Sequence, residues 1–257
     1  MSSNLLVVEN LTVAVAQKKI VSAANLEVPF LSVTALVGGS GSGKTTLGLA
    51  ILKLLPVGLN VQQGRIWFDG RDISGFFEEK MRLLRGKEIG MVFQEPLYAF
   101  NPVFSIGDQI AEVLRVHTSL NLRQRRLRIL ELLNLVGLPD PKRAAANYPH
   151  QLSGGMRQRA MIAQAIAAGP KLLIADEPTS NLDVTLQARI MELFRKLKDE
   201  LKLSILLITH DLGMVSHMAD RVAVMTEGKI VEQGMVKDVL KDPQHLYTRT
   251  LMETIEV

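Results

Sequence analysis

Chemistry is written most densely into Gly38-Gly39-Ser40-Gly41-Ser42-Gly43-Lys44-Thr45, which satisfies the spacing G-x-x-x-x-G-K-[ST]. Glycines let the backbone curl until successive N–H groups converge on phosphate oxygens. Lys44 adds a point charge for the β- and γ-phosphates of a nucleotide, the Thr45 hydroxyl can ligate Mg2+, and Thr46 continues the same seat. The flanks fit this chemistry. Strand-like VTALV precedes the loop and helix-like TTLGLAILKLL follows it, so the positive end of a helix strengthens the anion field.

A second group of chemical residues lies downstream. In LLIADE, at 172–177, an apolar strand ends in two acids. Asp176 at its carboxyl end can hold magnesium through water, and Glu177 can act as general base on an attacking water. Gln94 ends the run IGMVF and His210 ends SILLIT, and open α/β sheets gather ligands beyond such strand ends. Gln94 can reach the metal and the attacking water; His210 can contact the γ-phosphate and steady the water. In QLSGGMRQR, at 151–159, Ser153, Gly154 and Gly155 open a helix whose free N–H groups favour an anion. By itself that stretch is equally an ordinary helix start capped by Ser153.

The elements needed to position these residues are legible. Short β-rich runs at 5–10, 33–38, 65–69, 89–93, 172–176, 204–209, 222–225 and 229–233, several of them apolar on both faces, read as strands. They alternate with helical patterns near 44–55, 154–169, 183–202 and 211–219, which predicts an α/β domain. From about Ser105 to Gly169 strands give way to helical periodicity, as in Ile106, Ile110, Val113 and Leu114, broken by Gly137-Leu-Pro-Asp-Pro and Tyr148-Pro149. The expected organisation is therefore one domain over 1–257. Its α/β core occupies 1–95 and 171–257, interrupted by a helical subdomain over about 96–170.

Composition narrows the partners. The chain has no cysteine, which excludes disulfides, iron–sulfur clusters and thiolate zinc sites. Net charge is +4 with pI about 9.3, which suits nucleotide, nucleic acid or an anionic membrane face without choosing among them. The basic run RQRRLR at 123–128 reads as the solvated face of a helix with Leu127, Leu130 and Leu133 as its apolar stripe. Apolar runs stay strand-sized, far short of the ~18–20 residues of a membrane span. The start, MSSNLLVVEN, lacks a basic n-region and cleavage site, which predicts a cytoplasmic chain.

As an ordered set, the phosphate loop, Gln94, LSGGMRQR, LLIADE, SNLD at 180–183 and His210 resemble the ATPase subunit of an ABC transporter over nearly the whole chain. The resemblance implies a P-loop NTPase core, with a mixed sheet flanked by helices and an antiparallel β part at the N-terminus, plus the inserted helical subdomain. ATP and Mg2+ are the implied ligands. It further implies that two ATPase domains dimerise head to tail. Each LSGG loop (Ser153, Gly154, Gly155) then closes on the γ-phosphate held by the other subunit, with Asp183 coupling the two sites.

QEPLYAFNPVFSIGDQI, LSGGMRQRAMIAQAIA, DEPTSNLDV and HLYTRTLM are similar to importers of the peptide/opine/nickel group. That likeness implies a second, different ATPase chain, two integral-membrane permease subunits and an extracytoplasmic substrate-binding protein as partners, and no nucleic acid. It implies a peripheral position on the cytoplasmic face of the inner membrane. The segment after Gln94 receives a permease coupling helix in that group; Tyr98, Phe100 and Phe104 there suit either docking or subdomain core. Gly39 and LLPVGLNVQQGRI resemble the nickel-import branch, so the expected cargo is a peptide, nickel or a metal chelate.

The chain also departs from the family pattern. Val15 stands where many members place an aromatic under adenine, Pro29-Phe30-Leu31 replaces the usual K-G-E, and the cysteine-bearing tail of longer members is absent before Val257. The alternative function, a soluble ABC ATPase acting on nucleic acid or the ribosome, calls for coiled-coil insertions or tandem domains that this chain lacks. A noncatalytic role conflicts with the intact Lys44, Asp176, Glu177, His210 and LSGG. The five histidines form no evident metal-ligand cluster.

Overall fold

The computed structural model describes residues 3–180 and 182–253. In chain order the elements are β1 (Asn4–Val15), β2 (Lys18–Pro29), β3 (Val33–Val37), α1 (Lys44–Ile51), β4 (Leu59–Phe68), β5 (Arg71–Asp72) and α2 (Glu78–Leu84). Then come β6 (Ile89–Val92), α3 (Pro96–Ala99), α4 (Ile106–His117), α5 (Leu122–Leu135), α6 (Pro141–Ala146), α7 (Gly154–Ala165), β7 (Leu172–Asp176) and α8 (Val184–Leu201). The last are β8 (Ser204–Thr209), α9 (Leu212–Met218), β9 (Arg221–Thr226), β10 (Lys229–Met235), α10 (Val236–Lys241) and α11 (Leu246–Glu253). Two compact units share them. One runs to Met81 and resumes at Lys202; the other spans Arg82–Leu201.

The first unit contains an antiparallel sheet in the order β2-β1-β4-β5. Leu6, Val8, Leu11 and Val13 of β1 are buried, and a bulge between Val8 and Leu11 shifts their spacing by one. β2 escapes the sequence reading because it opens on two lysines and carries its own left-handed residue, Ala23, so its buried set Val21, Ala24, Leu26 and Val28 does not alternate cleanly. A second set of strands runs β10-β9-β3-β8, with β3 parallel to both β8 and β9. β3 and β8 are buried along their full length, which explains why both are mostly apolar. Asp220 pins the start of β3, its carboxylate accepting the Val33 N–H at 2.8 Å. Ala35, Val37, Leu212, Val215, Val222, Val224, Val236 and Val239 form a common core beneath the parallel strands. Burying each larger aliphatic side chain there contributes about 1.5–3 kcal/mol.

In the second unit β6 and β7 pair in parallel, Val92 opposite Ala175. Helices α3 to α7 fill the stretch where strands vanish from the sequence. Ser105 caps α4, accepting the Asp108 N–H at 3.1 Å. Asn121 and Gln124 form a reciprocal capping box at α5, at 3.0 and 2.9 Å. The apolar stripe of α5 differs from the expected one: Ile129, Leu132 and Leu133 are buried with Val136, whereas Leu127 is 55% exposed. The buried face is set by packing against neighbouring helices, and a leucine in a basic run carries no sign of which side it takes. Among the described residues no helix is long and apolar enough to cross a membrane.

Candidate functional site

In the first unit β3 delivers the chain directly into the glycine loop. Gly38 is buried, Gly39 half-buried, and Ser40 and Gly41 are exposed. Gly43 ends the loop at φ 102°, where an added Cβ would lie 2.8 Å from the Ile20 carbonyl oxygen, so only glycine fits. The same residue starts α1, and no side chain caps that helix. Its first-turn N–H groups, those of Lys44, Thr45 and Thr46 included, therefore have no capping acceptor from Gly43. Lys44 is 6% exposed, and its ammonium donates to the carbonyls of Gly38 and Gly39 at 2.8 and 2.9 Å. The hydroxyl of Ser42 is buried without a hydrogen-bond partner. An uncapped helix start, a held lysine and an orphaned hydroxyl make a seat that fits phosphate oxygens.

His210 follows β8 and is exposed. Parallel pairing sets Thr209 opposite Val37, so His210 and Gly38 leave neighbouring strands at the same end. Asp211 then caps α9, accepting the Met214 N–H at 3.0 Å. Val15 is 39% exposed at the end of β1.

The second unit carries the other expected residues. β7 is buried through Asp176, which is 3% exposed. Glu177 follows in the left-handed region at φ 45°, a conformation that costs a non-glycine residue about 1–2 kcal/mol and turns the chain sharply off the strand. Ser180 braces that turn, its hydroxyl donating to the Glu177 carbonyl at 2.9 Å. The same hydroxyl lies 3.3 Å from the Gln94 carbonyl oxygen, tying the turn after β7 to the segment after β6. Gln94, Asp176 and Glu177 are thus gathered at one end of the β6–β7 pair.

Ser153 caps α7, accepting the Met156 N–H at 3.3 Å. Gly154 is exposed with nothing within 4 Å of a would-be Cβ; Gly155 is buried against Leu186. Asp183 caps α8, accepting the Leu186 N–H at 2.9 Å. Asn181 of the SNLD stretch lies outside the described residues. The three aromatics after Gln94 divide: Phe100 is buried, while Tyr98 is 86% and Phe104 is 52% exposed. Within this unit a groove of about 1200 Å3 is lined by Phe104, Asp108, Glu112, Leu122, Arg125 and Lys142 among others. Among the described residues no group of three or more His, Asp or Glu could hold a metal ion by itself.

One contact escaped the sequence reading. The Gly39 N–H donates to the hydroxyl of Tyr247, 208 positions away. Its only signal in the sequence was the HLYTRTLM run, which pointed to a family and to no role.

The model of the ABC transporter family matches residues 21–180. The chain belongs to that family. The oligopeptide transport ATP-binding protein OppD of Bacillus subtilis is 50% identical over 222 residues, which cover 86% of this chain and 62% of OppD. This chain spans roughly half to two thirds of the length of the curated relatives it matches. Among solved structures, CbiO1 from Clostridium perfringens, part of the ABC transporter complex CbiONQ, superposes with a TM-score of 0.82 at 29% identity, covering 100% of both chains. A dimeric ATP-binding cassette in a post-hydrolysis state with ADP and Pi superposes with a TM-score of 0.80 at 26% identity, covering 90% of this chain and 98% of that one. The fold is that of ABC cassettes: an antiparallel N-terminal sheet, parallel strands and flanking helices. The phosphate loop and the LSGG stretch both lie within the matched segment.

Proposed function

We propose that this ABC cassette is the ATP-hydrolysing subunit of an importer, seated peripherally on the cytoplasmic face of a membrane and driving uptake through a permease. The carrying observation is the phosphate loop, where the uncapped start of α1, the Lys44 ammonium and the orphaned Ser42 hydroxyl converge. Gly38, Gly39, Ser40, Gly41, Ser42, Gly43, Lys44, Thr45 and Thr46 bind the triphosphate. Thr45, Gln94 and Asp176 would supply the oxygen donors for Mg2+, since hydroxyl, amide and carboxylate oxygens suit that ion. When bound, magnesium neutralises charge on the β- and γ-phosphates. Glu177 takes a proton from water as its oxygen attacks the γ-phosphorus, the bond to the β-phosphate oxygen breaks, and ADP and phosphate leave. His210 and Gln94 steady the water and the γ-phosphate.

Ser153, Gly154 and Gly155 serve the nucleotide of a second ATPase subunit in a head-to-tail pair, with Asp183 coupling the sites. The dimeric neighbour with ADP and Pi supports this arrangement. The helical subdomain over about 96–170 meets the permease; exposed Tyr98 and Phe104 support docking, and buried Phe100 belongs to the core. Two permease subunits, a second and different ATPase chain and an extracytoplasmic binding protein complete the complex. Peptides are the cargo class with support, since OppD is named for oligopeptide transport. Nickel or a metal chelate rests only on Gly39 and the LLPVGLNVQQGRI stretch, most of which forms β4. Relatives named for import favour transport over the nucleic-acid alternative.

The test is nucleotide binding and phosphate release by the purified chain, with Lys44→Ala as control, and co-purification with an integral membrane protein. Binding of ATP lost in Lys44→Ala supports the reading. A wild-type chain that binds no nucleotide, or whose phosphate release is stimulated by DNA or ribosomes and not by a permease, overturns it.

A further inference from the structure

The peptide unit joining Gly38 and Gly39 is held at both edges. Its carbonyl, that of Gly38, accepts from the Lys44 ammonium at 2.8 Å, while its N–H, that of Gly39, donates to the Tyr247 hydroxyl at 2.8 Å. A peptide group is planar, so fixing the N–H fixes the direction of the carbonyl on the same plate. The two bonds also polarise one another through the amide, which strengthens both in a dry setting. We propose that Tyr247 is a positioning residue for nucleotide binding: through the Gly38–Gly39 peptide it sets where the Lys44 ammonium stands. The inference rests on the nucleotide reading above and deepens it.

Tyr247 is itself anchored well enough to act as a fixed post. It packs beside Leu251 and Met252 on the core formed by β3, α9, β9 and α10. The turn before it is fastened to β10, where the Glu232 carboxylate accepts the N–H groups of Gln244 at 2.8 Å and His245 at 3.1 Å. The Tyr247 N–H donates to Nδ1 of His245 at 3.1 Å, and Nε of Arg249 donates to the Pro243 carbonyl at 2.8 Å. Space is equally tight on the loop side. A Cβ at Gly39 would lie 3.1 Å from the Tyr247 hydroxyl, closer than nearly all real contacts of that kind. The C-terminal helix therefore reaches the phosphate seat through one hydroxyl, with no side chain of the loop between them.

Tyr247→Phe removes that hydroxyl and keeps the ring on the core. Titration calorimetry with MgADP and MgATP should show dissociation constants raised roughly three- to tenfold, the size of one lost hydrogen bond. Turnover at saturating ATP should stay within about twofold and the melting temperature within about 2 °C, a shift of the size that about half to one hydrogen bond would cause. Gly39→Ala should weaken nucleotide binding in the wild-type background and weaken it less in Tyr247→Phe, because the crowding atom is gone. Unchanged or tighter nucleotide binding by Tyr247→Phe, beside a wild type that binds, overturns the positioning role and leaves the nucleotide reading standing. Weaker binding that tracks a lower melting temperature and adds independently to Gly39→Ala is a purely structural effect and overturns it as well. A wild type that binds no nucleotide sinks both.

Discussion

Two glycine-rich stretches in this chain open a helix, and they are finished differently. α1 starts from Gly43 in a left-handed conformation, and as a glycine this N-cap residue makes no side-chain cap. α7 starts from Ser153, whose hydroxyl takes the Met156 N–H at 3.3 Å. The first seat has no side-chain cap at Gly43 and keeps a lysine poised on two carbonyls. At the second seat the chain answers one donor itself, and an incoming anion must share or displace that bond. Their glycines differ too. Gly43 is demanded by the backbone, with an Ile20 carbonyl where a side chain would stand, while Gly154 faces open space. The open space over Gly154 leaves room for an outside group to approach the backbone closely. That contrast supports the proposed division, in which a lone chain grips phosphate at the first seat and offers the second to a neighbour.

Glu177→Gln gives the largest expected effect. It should lower ATP turnover by about 10²–10⁴-fold while binding persists, because only the proton acceptor is lost. With both seats then filled and chemistry stopped, light scattering should detect an ATP-dependent dimer; wild-type turnover would remove Glu177 from the role of base. Ser153→Arg comes next. It should reduce hydrolysis in the dimer by roughly 10²-fold or more, as for loss of a phosphate donor, yet leave nucleotide affinity of the dilute chain within about twofold. Full activity in that dimer would mean the second seat has no part in catalysis.

The glycine pair sharpens the contrast at smaller scale. Gly43→Ala should destabilise the fold by about 1–3 kcal/mol through strain at φ 102° and weaken nucleotide binding, both readable in a melting curve with and without ADP. Gly154→Ala should leave the melting temperature unchanged or slightly higher, since alanine is favoured over glycine in a helix by up to ~1 kcal/mol, but lower hydrolysis by the dimer. If the alanine at 154 is harmless to hydrolysis, the two seats are not a matched pair. The most local effect is that of Ser153→Ala, which should cost about 0.5–2 kcal/mol of cap energy, seen as faster amide hydrogen exchange in the first turn of α7.

Much of this was legible because the signals are local. The spacing of Gly38 to Thr45 fixes a loop, and the mostly apolar runs of β3, β7 and β8 report strands buried along their full length. Where the pattern failed, a non-local effect had intervened. β2 hides its period behind a bulge at Ala23 that only pairing with β1 requires. Leu127 was expected in the stripe of α5 and stands in solvent, because neighbouring helices select which face is buried. Tyr98, Phe100 and Phe104 look alike in sequence and separate only by packing.

The order of motifs along the chain determined the family, and local spacing pointed to the proposed phosphate seat and the acids at the end of β7, since each depends on residues a few positions apart. Tertiary structure alone decided that Glu177 sits at a left-handed turn tied by Ser180 to the segment after β6, and that Tyr247 touches Gly39 from 208 positions away. Periodicity and spacing encode the angles between near neighbours; distances between remote residues exist only once the core beneath β3 has closed.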